Sequence, residues 1–106
     1  MPETKIDIRL IALYRGLGNL RSATPADHPE YEALQEQYRQ ASDMAERAVE
    51  AAIDESDADY SEFSARIQEA MDLIKEAEAD IEKVVKAISL TAKAINIAAK
   101  LIGKYV

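Results

Sequence analysis

The side chains of this 106-residue chain that could do chemistry are carboxylates, one imidazole and a pair of closely spaced glycines. His28 is the sole histidine and there is no cysteine. A nucleophile activated by an imidazole relay, or a His/Cys metal cluster, needs more than one such group, and disulfides are excluded. The repeated Glu-x-x-His spacing of di-iron bundles is absent. His28 sits beside Pro29 and is expected to cap or decorate a loop. The carboxylates Asp54, Glu55, Asp57, Asp59 and Glu62 could attract Ca²⁺. However, the run from Asp57 through Asp59 and Ser61 lacks the glycine an EF-hand loop needs at its sixth position. Gln68 also stands where the bidentate Glu belongs. Gly16-Leu17-Gly18 follows an apolar helix and lacks the third glycine and the strand of a phosphate loop. Glu78 falls between Ile74 and Ile81 and reads as a polar residue that sets register, paired with Arg47 or Arg39. The expectation is therefore no catalytic, cofactor-binding or metal-binding residue, no evident small-molecule substrate, and a protein that is not an enzyme.

What positions these groups is helical. Ile67, Ile74, Ile81, Ile88, Ile95 and Ile102 recur every seven residues, and no Gly or Pro interrupts the run from Tyr60 until Gly103. A repeat held this long predicts one helix over about 59–104, with a seam that follows a neighbour in a left-handed supercoil. Such a rod would be roughly 65–70 Å long at ~1.5 Å per residue. Helix two is predicted over about 29–55, with Leu34, Tyr38, Ala41, Ala45, Ala48 and Ala52 facing inward. The short connection after it predicts that helices two and three form an antiparallel hairpin. Asp57 or Asp59 is the expected cap of the long helix. Helix one is predicted over about 4–17, closed by Gly16, Gly18 and Asn19. Thr24-Pro25-Ala26-Asp27 has the form of a single-turn helix start in the loop at 18–28. The fold class is all-α: one domain over 1–106, made of three helices in which the short first helix packs on the hairpin.

Composition narrows the partners. Apolar residues make up 48% of the chain, which argues against wholesale disorder, and the net charge is −7. That charge is divided. Residues 1–26 carry +2, residues 27–82 carry −14 and residues 83–106 carry +5. So acidic a chain is a poor nucleic-acid binder, and its basic end is the one place that could meet phosphate or anionic lipid. No stretch approaches the ~20 apolar residues of a membrane span, and no signal peptide is visible, so a cytoplasmic protein is expected.

The predicted rod is longer than helix two can cover, and its far half has a broad apolar face. That mismatch leads to the main functional expectation: a helical interaction protein that self-associates, or binds a partner helix, through Ile88, Ala92, Ile95, Ala99 and Ile102. Against it stands a compact bundle in which the broad face is simply interior. A second functional reading is a small acidic inhibitor or adaptor, of the kind phages and mobile elements encode, acting through residues 27–82. A third lays the basic C-terminal helix on an anionic membrane surface.

Overall fold

The computed structural model describes residues 6–50 and 57–105 and is all-helical over them. Four helices are present where three were expected: α1 (Ile6–Ala23), α2 (Tyr31–Glu50), α3 (Ala58–Ala79) and α4 (Val84–Tyr105). The expected start of the chain at 1–5 and the end of helix two, with Ala52, Asp54 and Glu55, lie outside the described residues. α1 packs on α2 and on α3, and α4 packs on α3 and on α2, so the order around the bundle is α1, α2, α4, α3. Gln37 meets Ile88 and Met44 lies beside Ile95, which makes α2 and α4 parallel. Gly16 lies against Met71 and Ile74, and Arg9 against Ile67, so α1 and α3 are parallel too. Each sequential hairpin, α1–α2 and α3–α4, is antiparallel.

The predicted hairpin of helices two and three is therefore not the one that forms. α2 and α3 stand at opposite corners. The seven residues between Glu50 and Ala58 can reach roughly 23 Å when extended. A diagonal across helices spaced ~10 Å apart is only roughly 14 Å. A short connection thus does not force neighbours when it is long enough to cross the bundle.

The single rod of about 59–104 is also corrected, because it breaks at Asp80. The backbone of Asp80 is extended (φ −140°, ψ 100°), and its N–H donates to the Glu76 carbonyl to close α3. Its carboxylate then accepts from the Glu82 N–H at 3.1 Å, and its carbonyl accepts from the Lys83 N–H at 3.0 Å. One residue closes one helix and caps the next turn, a 3-10 turn at Ile81–Lys83 that runs into α4. Lys83 reaches back over the break to Glu76 at 2.9 Å. The molecule spans 40 × 23 × 19 Å, so no helix of 65 Å exists among the described residues.

The buried column explains how the heptad survives the break. In α3 the core positions are Tyr60, Phe63, Ile67, Ala70, Ile74 and Ala77. In α4 they include Val84, Ala87, Thr91, Ala94, Ala98 and Leu101, with Ile95 and Ile102 beside them. The column that stays buried throughout is Phe63, Ala70, Ala77, Val84, Thr91, Ala98, and the Ile column is interrupted at Ile81, which is 41% exposed.

α1 runs on to Ala23, beyond the predicted stop, and no described glycine has positive φ. Gly16 and Gly18 serve close packing instead. A Cβ on Gly18 would come within 3.0 Å of the Tyr38 ring, which is held by Tyr14 (centroids 5.7 Å, T-shaped) and by the Arg21 guanidinium 4.7 Å above it. A Cβ on Gly16 would meet the Ile74 methyl at an ordinary 3.4 Å. Gly16→Ala should therefore stabilise the protein by about 0.5–1 kcal/mol, the helix-propensity gain. Gly18→Ala should lose that gain to displacement of Tyr38, and parallel urea titrations compare the two.

The loop also departs from its reading. Thr24 does not open a helix: its buried hydroxyl donates to the Leu20 carbonyl at 2.7 Å and closes α1. The single turn falls at 25–28, where the His28 N–H donates to the Pro25 carbonyl at 2.9 Å.

Candidate functional site

The groups with chemical potential are dispersed and locally employed. His28 Nδ1 accepts from the Glu30 N–H at 3.1 Å and supports the entry to α2. Asp57 is the N-cap of α3, accepting from the Asp59 N–H at 2.8 Å. Among the described residues, no three His, Cys, Asp or Glu side chains gather as metal ligands would. Glu78 is exposed rather than in a seam, because the buried stripe of α3 runs through Ile67, Ala70, Ile74 and Ala77 and leaves Glu78 outside it. Arg39 pairs with Glu36 on its own helix at 3.2 Å. The contact that fixes register between α2 and α4 comes instead from Gln37. This residue is 7% exposed, and its Nε2 donates to the Ile88 carbonyl at 2.9 Å. The sequence reading put its neighbour Tyr38 on that inward face. Tyr38 lies half-buried toward α1, and the one signal favouring Gln37 was its three-residue spacing from Leu34.

Lysines of α4 clasp the start of α3. Lys104 Nζ lies 3.2 Å from Asp57 and pairs with Asp59, which Lys100 also approaches at 3.6 Å. The hydrogen bond from Lys104 holds the Asp59 carboxyl below its ordinary 3.8, and the same bond holds Lys104 above its ordinary 10.5. A hydrogen bond to Glu76 likewise raises Lys83. The signs fix the pH window. A lowered acid contributes stability above its unfolded value and loses it as pH falls through the folded value. A raised amine contributes below its unfolded value and loses it as pH rises through the folded one. The stability difference between the native chain and Asp59→Asn should thus be flat through neutral pH and shrink below pH 3.8. The difference from Lys104→Met should shrink above pH 10.5. Urea titrations at several pH values measure both.

The five residues singled out for interaction are divided by the fold. Ile95 and Ile102 are 6% and 3% exposed and belong to the core. Ile88 and Ala92 are half-buried, and Ala99 is exposed. The argument that the far end of a rod lacks cover falls with the rod: α4 folds back, and α2 and α3 cover its broad apolar face. What remains outward is a groove of about 420 Å³ between α2 and α4. It is lined by Gln40, Asp43, Met44 and Arg47 on one side and by Ala92, Ile95, Asn96 and Ala99 on the other. Half of its lining residues are polar or charged, and Met44, Ile95 and the two alanines supply the apolar half.

Charge alternates around the bundle. α1 carries three Arg against one Asp (+2) and α2 carries five acids against two Arg (−3). α4 carries four Lys and no acid (+4), and α3 carries six acids against two bases (−4). With the order α1, α2, α4, α3, every packed pair joins opposite signs and every diagonal joins like signs. The division of charge along the chain thus coincides with the arrangement of neighbours, and it is expressed in direct ion pairs between α4 and the start of α3. The acidic stretch is split between two opposite corners rather than gathered on one face. No described helix is long and apolar enough to cross a membrane. Compared with protein-family models, curated proteins and solved structures, the chain matches none.

Proposed function

We propose that the protein is a non-enzymatic helical interaction module whose working surface is the outward face shared by α2 and α4. The observation that carries this reading is the groove of Met44, Ala92, Ile95 and Ala99, open between two parallel helices of a bundle whose own core is already closed. Small side chains along α4 there let another helix approach closely, while the flanking polar residues keep the face compatible with water. Two of the outward residues, Ala92 and Ala99, belong to the set the heptad pattern singled out.

The other readings have less support. An acidic inhibitor acting through residues 27–82 needs a continuous negative face, and α2 and α3 are separated by basic neighbours. A membrane-lying α4 would need to withdraw Lys100 and Lys104 from Asp59 and Asp57, and its apolar side from the core. The test is Ala99→Arg, at an exposed position. Cross-linking and sedimentation of the native chain, alone and in extract of its source cells, should show complexes that the variant lacks while keeping its helical circular dichroism. Identical complexes for both proteins would refute the assignment of this face.

A further inference from the structure

The two edges of that face carry opposite charge, and this says what kind of partner fits. On the outer side of α2, Glu32, Glu36, Asp43 and Glu46 are exposed along one ridge. Arg39, paired to Glu36, and the exposed Arg47, which also lines the groove, lie on the same side and still leave four acids against two bases. On the outer side of α4, Lys86, Lys93 and Lys100 are exposed at seven-residue spacing and form a positive ridge, at whose end Lys100 also approaches Asp59 of α3. The shallow groove runs between the two ridges, and because α2 and α4 are parallel the ridges match in length and direction.

Resting on the interaction reading above, we infer that the occupant of this face is a second copy of the chain, related by a two-fold axis that runs along the helices. Two face-to-face two-folds are available to a surface of this kind. An axis across the helices lays α2 on α2 and α4 on α4, antiparallel, and sets like ridges against each other. An axis along the helices lays the acidic α2 of each copy on the basic α4 of the other, parallel, and satisfies both ridges. Charge complementarity selects the second. The whole outline of the molecule, at most 40 × 23 Å, bounds any one face at roughly 900 Å² in projection, enough for the ~800 Å² per partner of a stable interface only if nearly all of it is used. Within the groove Met44, Ala92 and Ala99 lie beside the charged Asp43 and Arg47, so the contact would combine apolar packing with charge pairing.

Sedimentation equilibrium of the full chain tests this. The native protein should be dimeric, and the dimer should weaken at least about tenfold on going from ~0.05 to ~0.5 M NaCl as the ridges are screened. The variants Lys86→Glu/Lys93→Glu and Glu36→Lys/Asp43→Lys should each be monomeric, and an equimolar mixture of the two should recover a one-to-one heterodimer. If either variant loses its helical circular dichroism, Asn96→Arg asks the same question by bulk on the groove wall and should also be monomeric. A native chain that stays monomeric up to its solubility limit overturns the inference, and the native-against-Ala99→Arg comparison in source-cell extract still decides the interaction reading by itself. A dimer strengthened by salt, or one that Asn96→Arg leaves intact, overturns the two-fold along the helices.

Discussion

Phe63→Ala should lower stability by about 3–5 kcal/mol, read as a fall in the urea midpoint with little change in slope. Phe63 is the only Phe of the chain and is fully buried in the first half of α3. The rest of its column, Ala70, Ala77, Val84, Thr91 and Ala98, consists of small side chains. Removing a fully buried ring from a close-packed core leaves a cavity, whose cost adds to that of the lost burial. Against a total stability of about 5–15 kcal/mol this is a large fraction, and the variant should melt well below the parent. The matched control is Ile81→Ala. An uninterrupted heptad would place Ile81 in the same seam as Ile74 and make its truncation cost about 2–5 kcal/mol. At 41% exposure, beside the break, it should cost no more than about 0.5–1 kcal/mol. Equal losses at Ile74 and Ile81 would contradict the break at Asp80.

The helical class was legible because three- and four-residue spacing of apolar side chains persists along the whole chain, and nothing in the composition competes with it. The break was not. Asp80 is the one Asp among Glu76, Glu78 and Glu82. Its short side chain, a better cap and a weaker helix former than Glu, was the only cue, and a single Asp within a helical run does not by itself mark a break. The heptad itself is ambiguous about folding back, since a seam that continues in phase can line one rod or two antiparallel helices equally well. In α4 the eye follows Ile88, Ile95 and Ile102. The packing instead places Ala87, Ala94 and Ala98 at the centre, because close approach of three helices favours the smaller side chains there. The charge division was equally plain in the sequence, but its meaning was not. Only with α1, α2, α4 and α3 placed around a ring does it become a rule for which helices touch. The interaction residues were half legible for the same reason: the periodicity identifies α4 as amphipathic, and only the packing tells that Ile95 and Ile102 face in while Ala99 faces out.

Asp80→Leu should convert part of the population into a domain-swapped dimer. The substitution removes the carboxylate that accepts from the Glu82 N–H, a cap that contributes about 0.5–2 kcal/mol. It also replaces a poor helix former by a good one in the only stretch separating α3 from α4. The fused helix would run from Ala58 to Tyr105, and Ile81 and Val85, now 41% and 59% exposed, would fall on its seam. That rod cannot satisfy its own core, because α4 would point away from α3. Two such chains can restore every α3–α4 and α2–α4 contact by exchanging their α4 segments, with no new interface required. Scattering should then show a dimer with a longest dimension near 70 Å, the length of a helix of that many residues, in place of the 40 Å of the closed chain. Because exchange is bimolecular, the fraction should rise with concentration, and the dimer should persist in high salt, unlike one held by opposed ridges. A variant that stays compact and merely loses stability would mean that packing of α4 onto α2 and α3, rather than the cap, holds the chain folded back.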